Sequence, residues 1–284
     1  MKKDIRLIAL DLDGTTFNSK KEITPRTRRA IMRAAGKGVI VMPASGRTLS
    51  GLPEAFTGIP GVRYALTSNG AAVCDLQSGR VLISHYIPLQ TARYVMDRLL
   101  TVRGDIGYYA GGIAYSDRAG YERVISEGSA YVPWYKKYIE RTRTPVSDMK
   151  GLIDSGIEDL EKFVISFDND KDNREAFARL KDLQGVNVVY GAPFNMEIGT
   201  ADKGQTLLDF AGRMGISREQ VMACGDTDND RTMIETAGFA VAMGNADQEI
   251  KDAADYVTLD NDRDGVACAI EKFVLDGNLT GDSV

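Results

Sequence analysis

The sequence predicts an α/β fold, a doubly wound parallel sheet that carries a second, inserted α/β domain. Short apolar, β-prone runs at residues 5–10, 39–44 and 221–224 end in clusters of polar turn residues, the pattern of strands buried on both faces. Helical stretches separate them, so strand, helix and strand follow one another within about 40 residues, the length of a βαβ unit. Between Tyr108 and Tyr135 the texture changes to aromatic and glycine-rich, which marks a separate small sheet.

Taken in order, the run 5–10 delivers Asp11 and Asp13, one residue apart, to the carboxyl edge of the sheet, with Gly14, Thr15 and Thr16 completing the turn. Thr24 and Pro25 have the form of an N-cap followed by proline in the first turn, opening a helix to Gly36 or Gly38. The strand 39–44 ends in Ser45-Gly46-Arg47, which places Ser45 on the same edge as Asp11. A helix is expected over 49–56, a strand over 64–67 closing on Ser68-Asn69-Gly70-Ala71, and a hairpin of 73–75 with 81–87. An amphipathic helix over 88–100 leads into the aromatic segment, read as sheet with exposed loops. A strand over 163–167, a helix over 172–183 and a strand over 186–190 follow.

From Asn195 the opening pattern is expected to resume, with a strand over 195–198 and a helix from Lys203 to Met214. The strand 221–224 then ends in Gly225-Asp226-Thr227-Asp228-Asn229-Asp230. A helix, a strand over 239–242, a helix over 246–253, a strand over 256–259 and a helix over 265–273 complete the alternation, and 276–284 read as a frayed tail. The expected division is residues 1–83 and 195–284 for the core and 84–194 for the insertion.

A formal net charge of -5 argues against a general nucleic-acid binder or a polybasic membrane ligand. No run approaches the roughly 18 apolar residues of a membrane span, and the apolar run behind Lys2 and Lys3 is interrupted by Asp4 and Arg6, so no signal peptide is read. A cytoplasmic protein is expected. Cys74, Cys224 and Cys268 lack any C-x-x-C spacing and read as buried thiols in a reducing compartment. His85 is the only histidine, which leaves no His-based metal site, and its strand-like setting points to a structural role.

The chemistry concentrates in the two acidic turns. Like charges about 4 Å apart repel by about 1 kcal/mol in water and by about 4 kcal/mol at an effective dielectric of 20, so Asp11 and Asp13 call for a cation or a shared proton. Oxygen-only ligands favour Mg²⁺, which takes one or two carboxylates and a substrate phosphate. Asp-Gly is also a common turn pair, so this stretch alone admits a purely turn-forming role. The second cluster imitates half an EF-hand loop, but Arg231 stands at the glycine position and Ala237 at the bidentate glutamate position, and that reading fails. A strand-to-helix turn remains, putting Asp226 on the edge with Asp11. One divalent oxygen site, a lysine and a hydroxyl suit a phosphoryl group, with Lys203 offsetting its charge and Ser45 and the Gly46 amide binding its oxygens.

Asp11-Leu12-Asp13-Gly14-Thr15, Ser45-Gly46-Arg47, Lys203-Gly204 and Gly225-Asp226-x-x-Asn229-Asp230 resemble the four ordered motifs of the haloacid dehalogenase superfamily of phosphatases. Ser68-Asn69-Gly70-Ala71 and the insertion between the second and third motifs resemble its Cof-type members with a large α/β (class IIB) cap. The resemblance covers nearly the whole chain. It implies a Rossmann-like core in which Asp11 is the nucleophile, forming an aspartyl-phosphate, and Asp13 is general acid and then base. It further implies Mg²⁺ held by the Asp11 carboxylate, the Asp13 carbonyl and Asp226, with Asp230 and Asn229 behind these ligands. Ser45, Gly46, Arg47, Asn69, Lys203 and Asn229 would meet phosphate or substrate. The superfamily's dehalogenases lack the second aspartate of the first motif, so Asp13 points to phosphoryl transfer. Thr16 stands where a bulky aliphatic residue is common, away from the chemistry.

The expected substrate is a small phosphorylated metabolite selected by the cap. The cap aromatics, with Arg47, Arg118 and Arg123, are candidates to contact a sugar or nucleotide, or else plain cap core. A phosphomutase returning phosphate to a sugar and a non-catalytic phosphate-metabolite binder are the rival readings. Monomer and homodimer stay open.

Overall fold

A computed structural model of the chain describes residues 3–127, 132–190 and 194–275. The chain opens with strand β1 (Leu7–Leu10) and helix α1 (Pro25–Gly36). The helix starts as its sequence requires: the Thr24 hydroxyl accepts the Thr27 N–H, Pro25 stands in the first turn where no N–H is needed, and Ala30, Ile31 and Ala34 form the buried stripe. Strand β2 (Ile40–Pro43), the short helix α2 (Glu54–Thr57) and the meander β3 (Tyr64–Thr67), β4 (Ala72–Asp75) and β5 (Val81–Ser84) follow. The middle of the chain contains α3 (Leu89–Leu99), β6 (Asp105–Ala110), β7 (Ile113–Asp117), α4 (Arg118–Ile125), α5 (Pro133–Thr142) and β8 (Arg143–Val146). It continues through α6 (Met149–Asp154), β9 (Leu160–Ser166), α7 (Asp170–Leu180), β10 (Asn187–Tyr190) and β11 (Asn195–Gly199). The last stretch alternates α8 (Lys203–Arg213), β12 (Val221–Gly225), α9 (Arg231–Thr236), β13 (Phe239–Ala242), α10 (Gln248–Ala253), β14 (Tyr256–Val257) and α11 (Gly265–Phe273).

Two compact units result. Met1–Gly46, Leu52–Ser84 and Asp202–Val284 form the first, and Arg47–Gly51 with His85–Ala201 the second. In the first unit a five-stranded sheet runs in the order β14-β13-β12-β1-β2, every pair parallel. Strands β1, β12 and β13 are buried along their whole length, which is why their sequences are continuously apolar instead of alternating. A single parallel bridge, Ala44 to Leu66, joins β2 to β3, and β3-β4-β5 is an antiparallel meander.

The turn after β4 is held by Asp75. One of its carboxylate oxygens accepts from Arg63 Nε and Nη2 at 3.1 and 2.7 Å, and the other from the amides of Gln77 and Ser78 at 2.9 and 3.3 Å. The bond to Arg63 is the main reason its pKa falls to about 2, with the two amides adding to it. A carboxyl whose pKa is lowered on folding contributes stability above its unfolded pKa and loses it as pH falls through the folded value. Asp75→Asn is therefore expected to be less stable than the wild type at pH 6, with the gap closing between about pH 4 and pH 2, as read by urea unfolding at each pH.

In the second unit six strands run in the order β10-β11-β9-β6-β7-β8, antiparallel except for the parallel pair β7 and β8. Alternation divides the sheet. Tyr108, Phe163, Ile165, Met196 and Ile198 pack into a core with Val95, Met96 and Leu99 of α3, Ile153 of α6, and Ala176 and Leu180 of α7. Tyr109, Lys162, Glu197 and Arg143 belong to the opposite face by register.

Three sequence expectations are revised. The strand at 195–199 belongs to this second sheet, paired with β9 and β10, so the return to the first unit comes at Asp202 and not at Asn195. Its Met196/Ile198 alternation specifies a half-buried strand without specifying the sheet. The helix expected over 49–56 is a 3-10 turn at Leu49–Gly51 followed by α2, since Pro53 stops a continuous helix. The aromatic segment contains helices as well as sheet: α4 begins where Asp117 accepts the Gly120 N–H, and α5 begins at Pro133. Tyr131 and the tail 276–284 lie outside the described residues. Cys74 and Cys224 are buried, whereas Cys268 is only half-buried, and all three are free thiols. No described helix is long and apolar enough to cross a membrane.

Candidate active site

The parallel sheet brings remote segments to one edge. Asp11 follows β1 and donates its N–H to Cys224 O of β12 at 3.0 Å, while Ala44 N donates to Leu10 O at 2.8 Å. The residues after β1, β2 and β12 are thus adjacent at the carboxyl edge, where open α/β sheets bind ligands. Helix α8 supplies the fourth element. Asp202 caps it by accepting the Gln205 N–H at 2.9 Å, and Lys203, its first residue, is buried with 1% exposure.

Lys203 Nζ bridges two carboxylates, Asp11 Oδ1 at 2.8 Å and Asp230 Oδ1 at 2.7 Å. The other oxygen of Asp230 accepts the amides of Asp226 and Thr227 at 2.9 and 3.3 Å. Both Asp230 oxygens are thereby engaged, which makes it the brace that shapes the turn after β12. Asp226 is oriented from the other side, its Oδ1 accepting the Thr15 hydroxyl at 2.6 Å. Gly14 permits this approach: its φ is +88°, and a Cβ there would lie 2.3 Å from Asp226 Oδ2. The Asp11 carbonyl is fixed by the Thr16 hydroxyl at 2.6 Å and the Thr16 amide at 3.3 Å.

Asp11, Asp226 and Asp230 are all buried and offer oxygens within 4.8 Å of one another. Their electrostatics are incomplete. Burial, joined by repulsion from Asp230 and Asp226, holds the Asp11 carboxyl well above its usual range despite Lys203. Burial also pushes Asp226 up to about 6, against the pull of the Thr15 hydrogen bond. For Lys203 burial acts to lower the pKa, but the Asp11 and Asp230 carboxylates outweigh it and the ammonium stays charged. Three carboxylates against one ammonium leave two formal negative charges among these residues. An all-oxygen donor set with that deficit fits a hard divalent cation.

Of the other residues expected at the site, Ser45 donates its N–H to Leu66 O and accepts the Asn69 N–H on its carbonyl, both at 3.0 Å. A Cβ on Gly46 would lie 3.0 Å from Asn69 Oδ1, so the glycine lets the Asn69 side chain lie against the backbone after Ser45. Ser68 and Asn69 are both left-handed, at φ 52° and 56°, a conformation that costs non-glycine residues about 1–3 kcal/mol each and persists where its surroundings enforce it. Here Thr206 of α8 clamps the turn by donating to Gly70 O at 2.8 Å. Asn229 accepts the Thr227 hydroxyl at 2.7 Å, a bond inside the turn.

Asp13 is less buried than the other three acids. It is partly exposed and pairs with Lys21 Nζ at 2.9 Å. Arg47 belongs to the second unit, with its guanidinium 4.7 Å from the Tyr138 ring centroid. Lys21 and Thr15 went unassigned on sequence grounds. The hydroxyl following Asp-x-Asp-Gly is a visible signal for Thr15, whereas nothing local singles out Lys21 among its neighbouring lysines.

The sequence matches the family model of the haloacid dehalogenase-like hydrolases over residues 8–270. It is 30% identical over 274 residues to the 5-amino-6-(5-phospho-D-ribitylamino)uracil phosphatase YcsE of Bacillus subtilis, covering 96% of this chain and 97% of that protein. It is 27% identical over 275 residues to the pyridoxal phosphate phosphatase YbhA of Escherichia coli, covering 95% and 99%. Among solved structures, a haloacid dehalogenase-like hydrolase from Bacteroides thetaiotaomicron superposes with a TM-score of 0.77 at 31% identity, over 94% of this chain and 99% of that one.

Proposed function

Because the chain belongs to the haloacid dehalogenase-like hydrolases, we propose that it is a Mg²⁺-dependent phosphatase of small phosphorylated metabolites, working through an aspartyl-phosphate on Asp11. The observation that carries this reading is Lys203 bridging Asp11 and Asp230 at the sheet edge, with Asp226 beside them. Two relatives named for phosphorylated metabolites support the substrate class.

Asp11 attacks phosphorus, and the bond to the leaving oxygen breaks. Asp13 gives that oxygen its proton. Asp13 then takes a proton from water, whose oxygen attacks phosphorus and breaks the bond to Asp11, releasing inorganic phosphate. Lys203 keeps the Asp11 carboxylate in one orientation and adds positive charge beside the phosphoryl oxygens, while Ser45, the Gly46 amide, Asn69 and Asn229 offer further donors. The carboxylates of Asp11 and Asp226 and the carbonyl of Asp13 would hold Mg²⁺, with Asp230 behind them. When bound, the ion offsets the charge of a phosphate entering an acidic site. The partial exposure of Asp13 beside Lys21 supports its acid–base role, since a proton can then pass between Asp13 and solvent between the two half-reactions.

The test is turnover of p-nitrophenyl phosphate. Activity is expected to need Mg²⁺, to vanish in excess EDTA and to return on adding the ion. Mg²⁺ is also expected to raise the melting temperature of the wild type but not of Asp226→Asn. Activity that survives chelation would overturn the metal assignment. The absence of released phosphate across a panel of phosphorylated metabolites would overturn the phosphatase reading.

A further inference from the structure

Both acidic turns of the first unit are tied to one further loop, the stretch 243–247 that follows β13. Met243 N donates to Gly225 O and Asp247 N to Asp226 O, each at 3.0 Å, so the loop is fastened to the turn after β12. On its other side Asn245 Nδ2 donates to Gly14 O at 2.8 Å, in the turn after β1. Asn245 is itself braced. Its Oδ1 accepts the Asn261 N–H at 3.0 Å, and Asn261 Nδ2 donates to Phe17 O at 2.9 Å. Gly244 lets the two loops meet, since its N–H donates to Leu259 O at 3.1 Å and a Cβ there would lie 2.7 Å from Asp260 N. Ser19 N adds a third fastening by donating to Asp262 Oδ1 at 2.8 Å. The segment 14–19 is thus strapped down by side chains 231, 244 and 243 residues further along the chain.

The Asn245 bond has the most to control. Gly14 has a φ of +88°, and glycine restrains its own backbone least of all residues, so the orientation of the Gly14–Thr15 peptide depends on what grips it. Much hangs on that orientation. On one side is the Asp13 carbonyl assigned to Mg²⁺, and on the other is Thr15, whose hydroxyl orients Asp226 at 2.6 Å. The Asn245 amide grips the peptide between them. Groups one bond behind a metal's ligands orient those ligands, and removing such a group costs about 10–100-fold in metal affinity or activity. Asn245 is exposed, so the bond adds little to the stability of the fold and its effect falls on the turn it holds.

We propose that Asn245 is a positioning residue for Mg²⁺: braced by Asn261, it fixes Gly14 and thereby sets the Asp13 carbonyl and, through Thr15, the Asp226 carboxylate. This rests on the metal assignment of the phosphatase reading, so the first readout is ion binding without turnover. A Kd for Mg²⁺ is taken from the rise in melting temperature of substrate-free protein with ion concentration. Asn245→Leu, neutral and branched but without donor or acceptor, is expected to raise that Kd about tenfold while the metal-free melting temperature stays near that of the wild type. The Mg²⁺ concentration for half-maximal turnover of p-nitrophenyl phosphate should rise by the same factor, with KM at saturating ion within twofold. Asn245→Gln, which keeps the amide, is expected to recover part of the affinity. Asn261→Leu removes the brace, and because the two residues act as one unit, the double variant should bind Mg²⁺ within twofold of Asn245→Leu. A Kd unchanged within twofold in Asn245→Leu overturns the proposal and leaves the phosphatase reading standing, even where the melting temperature falls. A raised KM with an unchanged Kd also overturns it, by placing Asn245 against substrate. A wild type that Mg²⁺ does not stabilise overturns the metal assignment and the proposal together. A weakened Kd in a protein that releases no phosphate supports the proposal and counts against the phosphatase reading alone.

Discussion

Asp11→Asn is expected to lower kcat for p-nitrophenyl phosphate by at least about 10⁴-fold while leaving the protein folded. The amide has the carboxylate's shape but does not attack phosphorus, and it cannot substitute for the charge that Lys203 meets at 2.8 Å and that the proposed Mg²⁺ would meet. The fold should tolerate the change because burial, joined by repulsion from Asp230 and Asp226, disfavours the charged form of the Asp11 carboxyl despite Lys203. Removing one of three mutually repelling acids relieves that opposition, so a melting temperature at or above that of the wild type is expected with the metal chelated. Steady-state kinetics and a thermal melt on the same preparation check both halves. A variant that keeps more than about a tenth of wild-type kcat would show that Asp11 is not the nucleophile.

Much of this site was legible because its parts are local. The β1 run and Asp11-x-Asp13-Gly14, the strand at 221–224 with the acids behind it, and Lys203 at a helix start each occupy consecutive residues whose pattern declares strand, turn or cap. Parallel βαβ connection then puts their ends on one edge without further information. The pairing of side chains across that edge was not legible. Lys203 bonds Asp11 across 192 residues of sequence and Asp230 across 27, and no local periodicity encodes which of several nearby acids a buried ammonium will choose. Asp13 illustrates the same limit, since nothing in the β1 turn announces that its carboxylate pairs with Lys21, eight residues further on. Likewise Met196 and Ile198 announced a strand, but the neighbours that claimed it, β9 and β10, are decided by the whole second sheet.

Lys203→Met is expected to destabilise the metal-free protein by about 3–5 kcal/mol at pH 8, the cost of leaving a buried charge without its partner. Methionine fills the same channel, so lost volume is not the cause. What remains is Asp11 facing Asp230 with no cation between them, both buried, and Asp226 close by. The pH dependence identifies the mechanism. Asp11 already has a raised pKa with Lys203 present, and without it proton uptake by the acids becomes the only relief. A group with a raised folded pKa gains stability as pH falls through that value, so the deficit relative to the wild type should shrink between pH 8 and pH 5. A cavity or packing defect would be insensitive to pH over that range. Mg²⁺ should recover part of the stability but little of the activity, because cation charge is replaced while the donor orienting Asp11 is not. The expected loss in kcat is about 10²–10³-fold, the scale for removing one donor from a preorganised charged site. Urea unfolding at the two pH values, with and without the ion, decides the matter. A deficit that stays constant with pH would mean that Lys203 acts through packing and not through its charge.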